Sequence, residues 1–290
     1  MHKICVIGGS RYFGRRLVLD FRDAGADVTV VNRGSVPAPP GVRHLVTDRA
    51  ALARLLRDAS FDVVVDQVCY TPVHAAAAVA AFRDRTRRYV LTSTIEVYAG
   101  LDAAAPLPET AADPLRHPVR PDLPWARPGY LDAHYAEGKR QAEAVFAATA
   151  PFEVAVVRAG HVLGGDDFTG RLRHYTDRIR HEQPVLVRPR NHPSSFIHHA
   201  EIARFLRWAA ESGFTGPVNA CSHGEFDVTE LCARIGARAG REPVFGTGES
   251  PFAFDRYYGM ANDRAESLGF SFSRTGDWLP GVIGEALEAT

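Results

Sequence analysis

The chain has no net charge, no CxxC pair and no long apolar run, and each absence removes a class of function. Among 290 residues, 34 basic and 34 acidic side chains cancel, so the overall charge favours neither a nucleic acid nor a membrane partner. Cysteine is scarce, and Cys5 and Cys69 lie in apolar strand-like runs while Cys221 and Cys232 stand apart. That pattern predicts buried free thiols in a reducing compartment. From Gln67 to Phe82 there is no Asp, Glu, Lys or Arg, but these 16 residues include Pro72 and are too few to span a bilayer. The first strand begins by residue 3 and leaves no room for a signal peptide, so the expected location is cytoplasmic. His192, His198 and His199 cluster, yet neighbours on a strand face opposite ways and no carboxylate is spaced to complete a site. No metal is expected.

What is present is organised around Ile7-Gly8-Gly9-Ser10-Arg11-Tyr12-Phe13-Gly14. Lys3 to Ile7 reads as a strand buried on both faces, and Phe13, Leu17 and Phe21 mark one face of a helix that Gly25 ends. Strand, glycine turn and helix together aim backbone N–H groups and a helix dipole at an anion such as a dinucleotide pyrophosphate. Gly8, Gly9, Ser10, Arg11, Tyr12, Phe13 and Gly14 are therefore candidate cofactor contacts. Arg11 stands where the middle glycine of a three-glycine pattern would be.

Asp27 to Val31 is a second strand, ending in Asn32-Arg33-Gly34. An acidic side chain there would accept from the adenosine ribose and repel a 2′-phosphate; Asn32 and Arg33 instead favour NADP over NAD, with Arg11 as a second cation. A third strand, Arg43 to Val46, leads to Asp48, a further cofactor-binding candidate. A helix with Leu52, Leu55 and Leu56 inward follows. Then come a strand over Phe61 to Asp66, an alanine-rich helix over Val73 to Phe82 and a strand over Tyr89 to Thr92. The alternation predicts right-handed βαβ units and a parallel sheet covered on both faces.

Arg83, Arg85, Arg87 and Arg88 at the end of the alanine-rich helix are expected in solvent. Ala99 to Gly129 holds seven prolines and little periodicity, as in a lid, a binding loop or a flexible insertion. On either side of it lie Thr92-Ser93-Thr94-Ile95-Glu96-Val97-Tyr98 and Tyr135-Ala136-Glu137-Gly138-Lys139, the latter opening a helix to about Thr149. Tyr135 and Lys139 share one helical face, where an ammonium favours the phenolate and fits Tyr135 for proton exchange with an alcohol or carbonyl. Thr94 is placed to hold the same oxygen. Arg171, His174, Arg178 and His181 give a later helix a basic side, expected to be solvated.

With these motifs the sequence resembles the extended short-chain dehydrogenase/reductases, which include sugar-nucleotide epimerases and dehydratases. Gly8 to Gly14 matches the glycine turn, Thr94 the catalytic Ser/Thr, Tyr135 and Lys139 the catalytic pair, and Glu143 an acid four residues after that lysine. Val156 to Gly164 looks like the sixth strand and its exit, and Phe196-Ile197-His198 with Glu201-Ile202-Ala203 like a return to the sheet. Arg11 and Asn32-Arg33-Gly34 look most like the branch that includes chloroplast stem-loop-binding proteins. The family's asparagine is replaced by His161 and its diphosphate-gripping arginine by Ser194. Glu96 matches the base of the family's dehydratases, while the partner acid is replaced by Ile95.

The resemblance implies an α/β, Rossmann-type, doubly wound parallel sheet with a smaller C-terminal substrate-binding lobe. Residues 1–164 would form the NADP-binding domain, with 195–222 returning to its sheet, and 165–194 with 223–290 the lobe. It implies hydride transfer at a secondary alcohol or ketone of a small polar substrate, with Thr94, Glu96, Tyr135 and Lys139 catalytic, Lys139 also on the nicotinamide ribose, and a homodimer. A nucleotide-sugar epimerase or dehydratase with a tightly held cofactor, and an RNA-binding or regulatory protein on the same fold, stay open as alternatives.

Overall fold

The computed structural model describes residues 2–289. The first part alternates as expected: β1 (Lys3–Ile7), α1 (Tyr12–Asp23), β2 (Asp27–Asn32), β3 (Arg43–Val46), α2 (Leu52–Leu55), β4 (Phe61–Asp66), α3 (Pro72–Phe82) and β5 (Thr86–Thr94). After short 3-10 turns come α4 (Tyr130–Ala133), α5 (Tyr135–Thr149) and β6 (Glu153–Ala159). Next are β7 (His161–Leu163), α6 (Arg171–Arg180), β8 (Val185–Val187), β9 (Ser194–His198), α7 (His199–Glu211) and β10 (Gly216–Ala220). The chain closes with β11 (Glu225–Phe226), α8 (Val228–Ala239), β12 (Phe245–Thr247), α9 (Asp263–Ser267) and α10 (Thr275–Glu288). It forms two compact units: Met1–Ala99, Glu109–Ala159 and Ala203–Asn219; and Gly100–Pro108, Gly160–Ile202 and Ala220–Thr290.

The first unit is built on a seven-stranded parallel sheet of order β10-β6-β5-β4-β1-β2-β3. Its inner strands are near-continuous Val and Ile runs rather than alternating ones, because helices cover both faces: Cys5, Val6, Val30, Val64, Val65, Val90 and Leu91 are fully buried. Behind the sheet, Tyr89 packs its ring on Phe146 at 4.7 Å, Phe82 at 5.8 Å and Phe152 at 5.6 Å. The chain runs outward from β1 through β2 to β3, then resumes on the other side with β4. The strand order thus reverses between β1 and β4, the place where such sheets bind ligands beyond their C-terminal edge.

The glycine turn follows β1 at that reversal. Gly8 and Gly9 have φ of +99° and +71°, a region closed to most side chains, and a Cβ on Gly9 would press into Val6 and Val18. Gly14 lies in the first turn of α1, where a methyl would run into the Gln67 amide.

The Pro-rich stretch is ordered on both sides of its unit boundary. Within the first unit, Trp125 is buried and donates from Nε1 to the Arg120 carbonyl, while the Arg120 N–H donates to Gln141 Oε1 on α5 at 2.7 Å. His117 Nε2 lies 3.0 Å from Glu137 Oε1, on the same helix. Within the second unit the Leu107 N–H donates to the Gly259 carbonyl.

That unit carries a three-stranded sheet, β11-β9-β7, and a two-stranded one, β12-β8. Helices α6, α8 and α10 pack together beside them. Asp227 and Glu230 form a capping box at the start of α8, each side chain accepting from the other's backbone N–H.

Several sequence expectations change. Ser194–His198 does not rejoin the large sheet; it pairs with β7 and β11, and Gly216–Ala220 makes the return. Residues 160–164 and 195–202 accordingly group with the second unit. Leu55 is 48% exposed because α2 is a single turn, which points Leu52 inward and leaves the other inward place to Leu56 beyond its end. Arg88 is not solvated but 2% exposed: as part of β5 it lies under the Phe214 ring and donates to the Ala209 and Phe214 carbonyls. On α6, Arg171 lies over the Phe252 ring and His174 Nε2 is 3.0 Å from Ser250 Oγ, so the basic side is half covered. All four cysteines are free and buried. Among the described residues, no helix is long and apolar enough to cross a membrane.

Candidate active site

The site is assembled by neighbouring strand ends and one helix of the first unit. Strand β5 ends at Thr94, whose hydroxyl accepts from the Glu96 N–H and caps a short 3-10 turn over Ile95–Tyr98. The Tyr135 phenol at the start of α5 comes near enough to the Thr94 hydroxyl and the Glu96 carboxylate for both to act on it. One helical turn on, Lys139 is 2% exposed, and its Nζ donates to the Thr92 carbonyl at 2.8 Å. Thr94, Glu96 and Tyr135 thus come near one another, and Lys139 lies one helical turn further along α5 with its ammonium on β5 at Thr92.

Helix α5 is clamped in place by Glu143. Ser93 Oγ donates to its Oε1 at 2.5 Å, and Arg158 on β6 donates to both of its oxygens, at 2.6 Å from Nη2 to Oε2. Arg158 also donates to the Tyr98 hydroxyl and the Glu109 carbonyl. Glu143 thus ties the helix to β5 and β6, which explains an acid four residues after the lysine.

The electrostatics differ from the expectation for Tyr135. Its phenol is held above the ordinary tyrosine range, chiefly by burial and then by Tyr70; the nearby Thr94 hydroxyl works the other way. Lys139 does not lower it, because the ammonium is turned to the Thr92 carbonyl. Burial brings Lys139 down to about 8, against the pull of Cys69, Asp66 and Glu143, and Arg49 adds to the fall.

Tyr70, which the sequence reading passed over, lies in the loop between β4 and α3. Its ring centroid is 4.8 Å from Lys139 Nζ and 6.1 Å from the Tyr135 ring. Below it Asp66 is fully buried, paired with Arg49 at 2.6 and 2.9 Å and accepting from the Tyr89 hydroxyl at 2.5 Å. Burial works to raise Asp66, but Arg49 outweighs it and holds the carboxyl below its usual range.

Around the glycine turn, Asn32 Nδ2 donates to Ser10 Oγ at 2.6 Å and to the Val36 carbonyl, while Asn32 Oδ1 accepts from the Gly34 N–H and lies 2.9 Å from His44 Nε2. Asn32 therefore braces β2 against the turn, and the guanidinium at that place belongs to Arg33. Arg33 and Arg11 are both exposed, flanking the Ser10–Asn32 bond along the chain. Asp48 is exposed too, and its Oδ1 accepts from the Ala51 N–H before α2. Tyr12 opens α1 with φ of +52°, and the helix has neither a side-chain cap nor an acidic residue in its first turn. A helix start without a side-chain cap is of the kind that can receive an anion.

In the second unit, His161 and Ser194, which replace the asparagine and arginine of the resemblance, bond to each other at 2.7 Å. The His161 ring stacks on Phe254 at 5.0 Å.

Comparison with known proteins gives the family. The pattern of the NAD dependent epimerase/dehydratase family matches residues 4–221. The chain belongs to that family. UDP-glucuronic acid decarboxylases 5 and 3 of Arabidopsis thaliana are each 28% identical over 157 residues, which is 51% of this chain and 42% of the relative's own length. The fold is that of UDP-glucose 4-epimerase from Thermotoga maritima, solved with UDP-glucose: TM-score 0.77, 17% identity, 97% of each chain covered. It is likewise that of dTDP-glucose 4,6-dehydratase from Bacillus anthracis, solved with NAD: TM-score 0.77, 13% identity, 100% of this chain and 97% of the other covered.

Proposed function

We propose that this family member is an NADP(H)-dependent oxidoreductase working at a secondary alcohol or ketone of a small polar substrate. The observation that carries the reading is the meeting of Thr94, Tyr135 and Lys139 in the unit that also carries the glycine turn at its strand-order reversal.

The residues fit a nicotinamide dinucleotide. Gly8 and Gly9 open a cradle that side chains would fill, and the uncapped start of α1 offers N–H groups to a pyrophosphate. Arg11 and Arg33 support NADP(H), since two exposed guanidiniums and no carboxylate at the end of β2 suit a 2′-phosphate. Asp48 would serve the adenosine end and Lys139 the nicotinamide ribose. When bound, the nicotinamide gives or takes the hydride.

The chain's own residues handle the proton. Tyr135 keeps its proton in the ligand-free site, so in the reducing direction it would be the group that gives a proton to the carbonyl oxygen. In the oxidising direction it takes that proton back, and Thr94 holds the reacting oxygen throughout. Glu96 would serve as a base on a carbon next to the ketone.

Replacing Tyr135 by Phe should lower turnover by about 10²- to 10⁴-fold while cofactor still binds. NADPH and NADH titrations followed by a screen of ketones and sugar nucleotides would measure both quantities; unchanged turnover in the variant would sink the assignment.

A nucleotide-sugar epimerase or dehydratase is the second reading, supported by relatives that act on UDP-glucuronic acid, UDP-glucose and dTDP-glucose by name. Against it stand His161 and Ser194, bonded to each other where the family grips a diphosphate. Tight binding of a UDP- or dTDP-sugar would favour this second reading.

A further inference from the structure

The ammonium of Lys139 is buried and, among the described residues, has no ion pair within bonding distance. Of its three N–H donors the Thr92 carbonyl takes one. The other close neighbour is the face of Tyr70, 4.8 Å from Nζ to the ring centroid, well inside the range at which an aromatic quadrupole attracts a cation.

That ring is held firmly. Thr71 caps α3 through its bond from the His74 N–H, Pro72 occupies the first helical position, and the Tyr70 N–H donates to His74 Nδ1 at 3.3 Å. From the other side α5 lies directly on the Tyr70 backbone: a methyl on Gly138 would run into the Tyr70 carbonyl oxygen. The residue next to Lys139 is thus a glycine because α5 must approach this close.

We propose that Tyr70 is a positioning residue, its ring face holding the Lys139 ammonium on the Thr92 carbonyl and so leaving its other donors for a bound nicotinamide ribose. The assignment rests on reading Lys139 as the family's catalytic lysine, but the contact itself is testable without any ligand.

Other titratable groups act on the ammonium. Asp66 at the end of β4, Cys69 in the loop after it and Glu143 on α5 favour its charged form, while Arg49, beyond β3, opposes it.

Lys3 and Lys139 are the only lysines in the chain, and Lys3 is exposed. Protein labelled with 13Cε-lysine therefore gives two signals, assigned by Lys3→Arg, and a pH titration of the ligand-free protein reads the Lys139 ammonium directly. The parent and Tyr70→Phe should share one midpoint, with Tyr70→Leu lower by about one pH unit. If the Leu variant does not fold, Tyr70→Met, which fills similar space without a ring, takes its place. In NADPH titration the ringless variant should bind several-fold more weakly and the Phe variant like the parent.

An unmoved midpoint in the ringless variant, or a Phe variant that falls as far, would overturn the proposal. So would equal affinity for NADPH in all three proteins. No nicotinamide binding by the parent would instead remove the oxidoreductase reading and leave the ring–ammonium contact to be judged by the midpoints alone.

Discussion

At the scale of single residues, Arg33 tests cofactor choice most directly. Asn32 spends its amide on Ser10, Val36, Gly34 and His44, so the exposed Arg33 guanidinium is the group at the end of β2 suited to a phosphate. Replacing Arg33 by Asp removes that cation and puts a carboxylate where a ribose hydroxyl would donate to it. The ratio of NADPH to NADH affinity should fall by about 10- to 100-fold, as expected for one charge-assisted bond. Titration with both cofactors measures it, and equal loss for the two would defeat the NADP(H) reading. Residues of this kind were legible in the sequence when a period or motif marked them: Tyr135 and Lys139 are four apart on one helix, and Thr94 ends a strand. Tyr70 was not, because it sits in a loop without periodicity and its place depends on two separate helices. Its traces in the sequence are indirect, the Thr71-Pro72 helix start and a glycine beside the lysine.

At the scale of elements, helix α5 carries both members of the tyrosine–lysine pair, and Gly138 decides where it lies. Alanine favours a helix over glycine by about 1 kcal/mol, so on propensity alone Gly138→Ala would stabilise the protein. Here the added methyl would meet the Tyr70 carbonyl oxygen and approach Trp125 and Leu131, and a backbone oxygen moves only if α5 or the loop moves with it. Overpacking of that kind costs about 1 to 3 kcal/mol, so the variant should be less stable and its Lys139 displaced from Thr92. Denaturant unfolding gives the sign directly; a more stable variant would show that the approach is looser than described. Element boundaries of the strand–helix alternation were readable from the sequence because buried Val and Ile runs and glycine stops are local signals. The pairing of Ser194–His198 was not, since any β-rich segment satisfies the same local pattern and only its partners, β7 and β11, distinguish the small sheet from the large one. Arg88 fails for the same reason: a basic run reads as solvated until α7 and Phe214 are laid over it.

For the molecule as a whole, the buried lysine sets a cost that appears in global stability and reverses sign with function. Folding takes the Lys139 ammonium out of water and lowers it from 10.5 to about 8, so between those values the unfolded chain binds the proton more tightly than the native one. Stability contributed by this group therefore rises as pH climbs through that window, and below pH 8 the burial penalty is present in full. The window corresponds to about 3 kcal/mol at 1.36 kcal/mol per pH unit, reduced by the bond to the Thr92 carbonyl that any replacement forfeits. Lys139→Met keeps the length of the side chain and removes the charge, so at pH 7 it should be more stable than the parent by about 1 to 2 kcal/mol and inactive. The difference should shrink as pH rises from 8 toward 10.5, because the parent then sheds the proton whose burial it resisted. Thermal unfolding of the two proteins across that range, taken as a difference so that the arginines and tyrosines common to both cancel, tests the idea. A Met variant less stable than the parent at pH 7 would mean that Tyr70 and Thr92 compensate the buried charge completely.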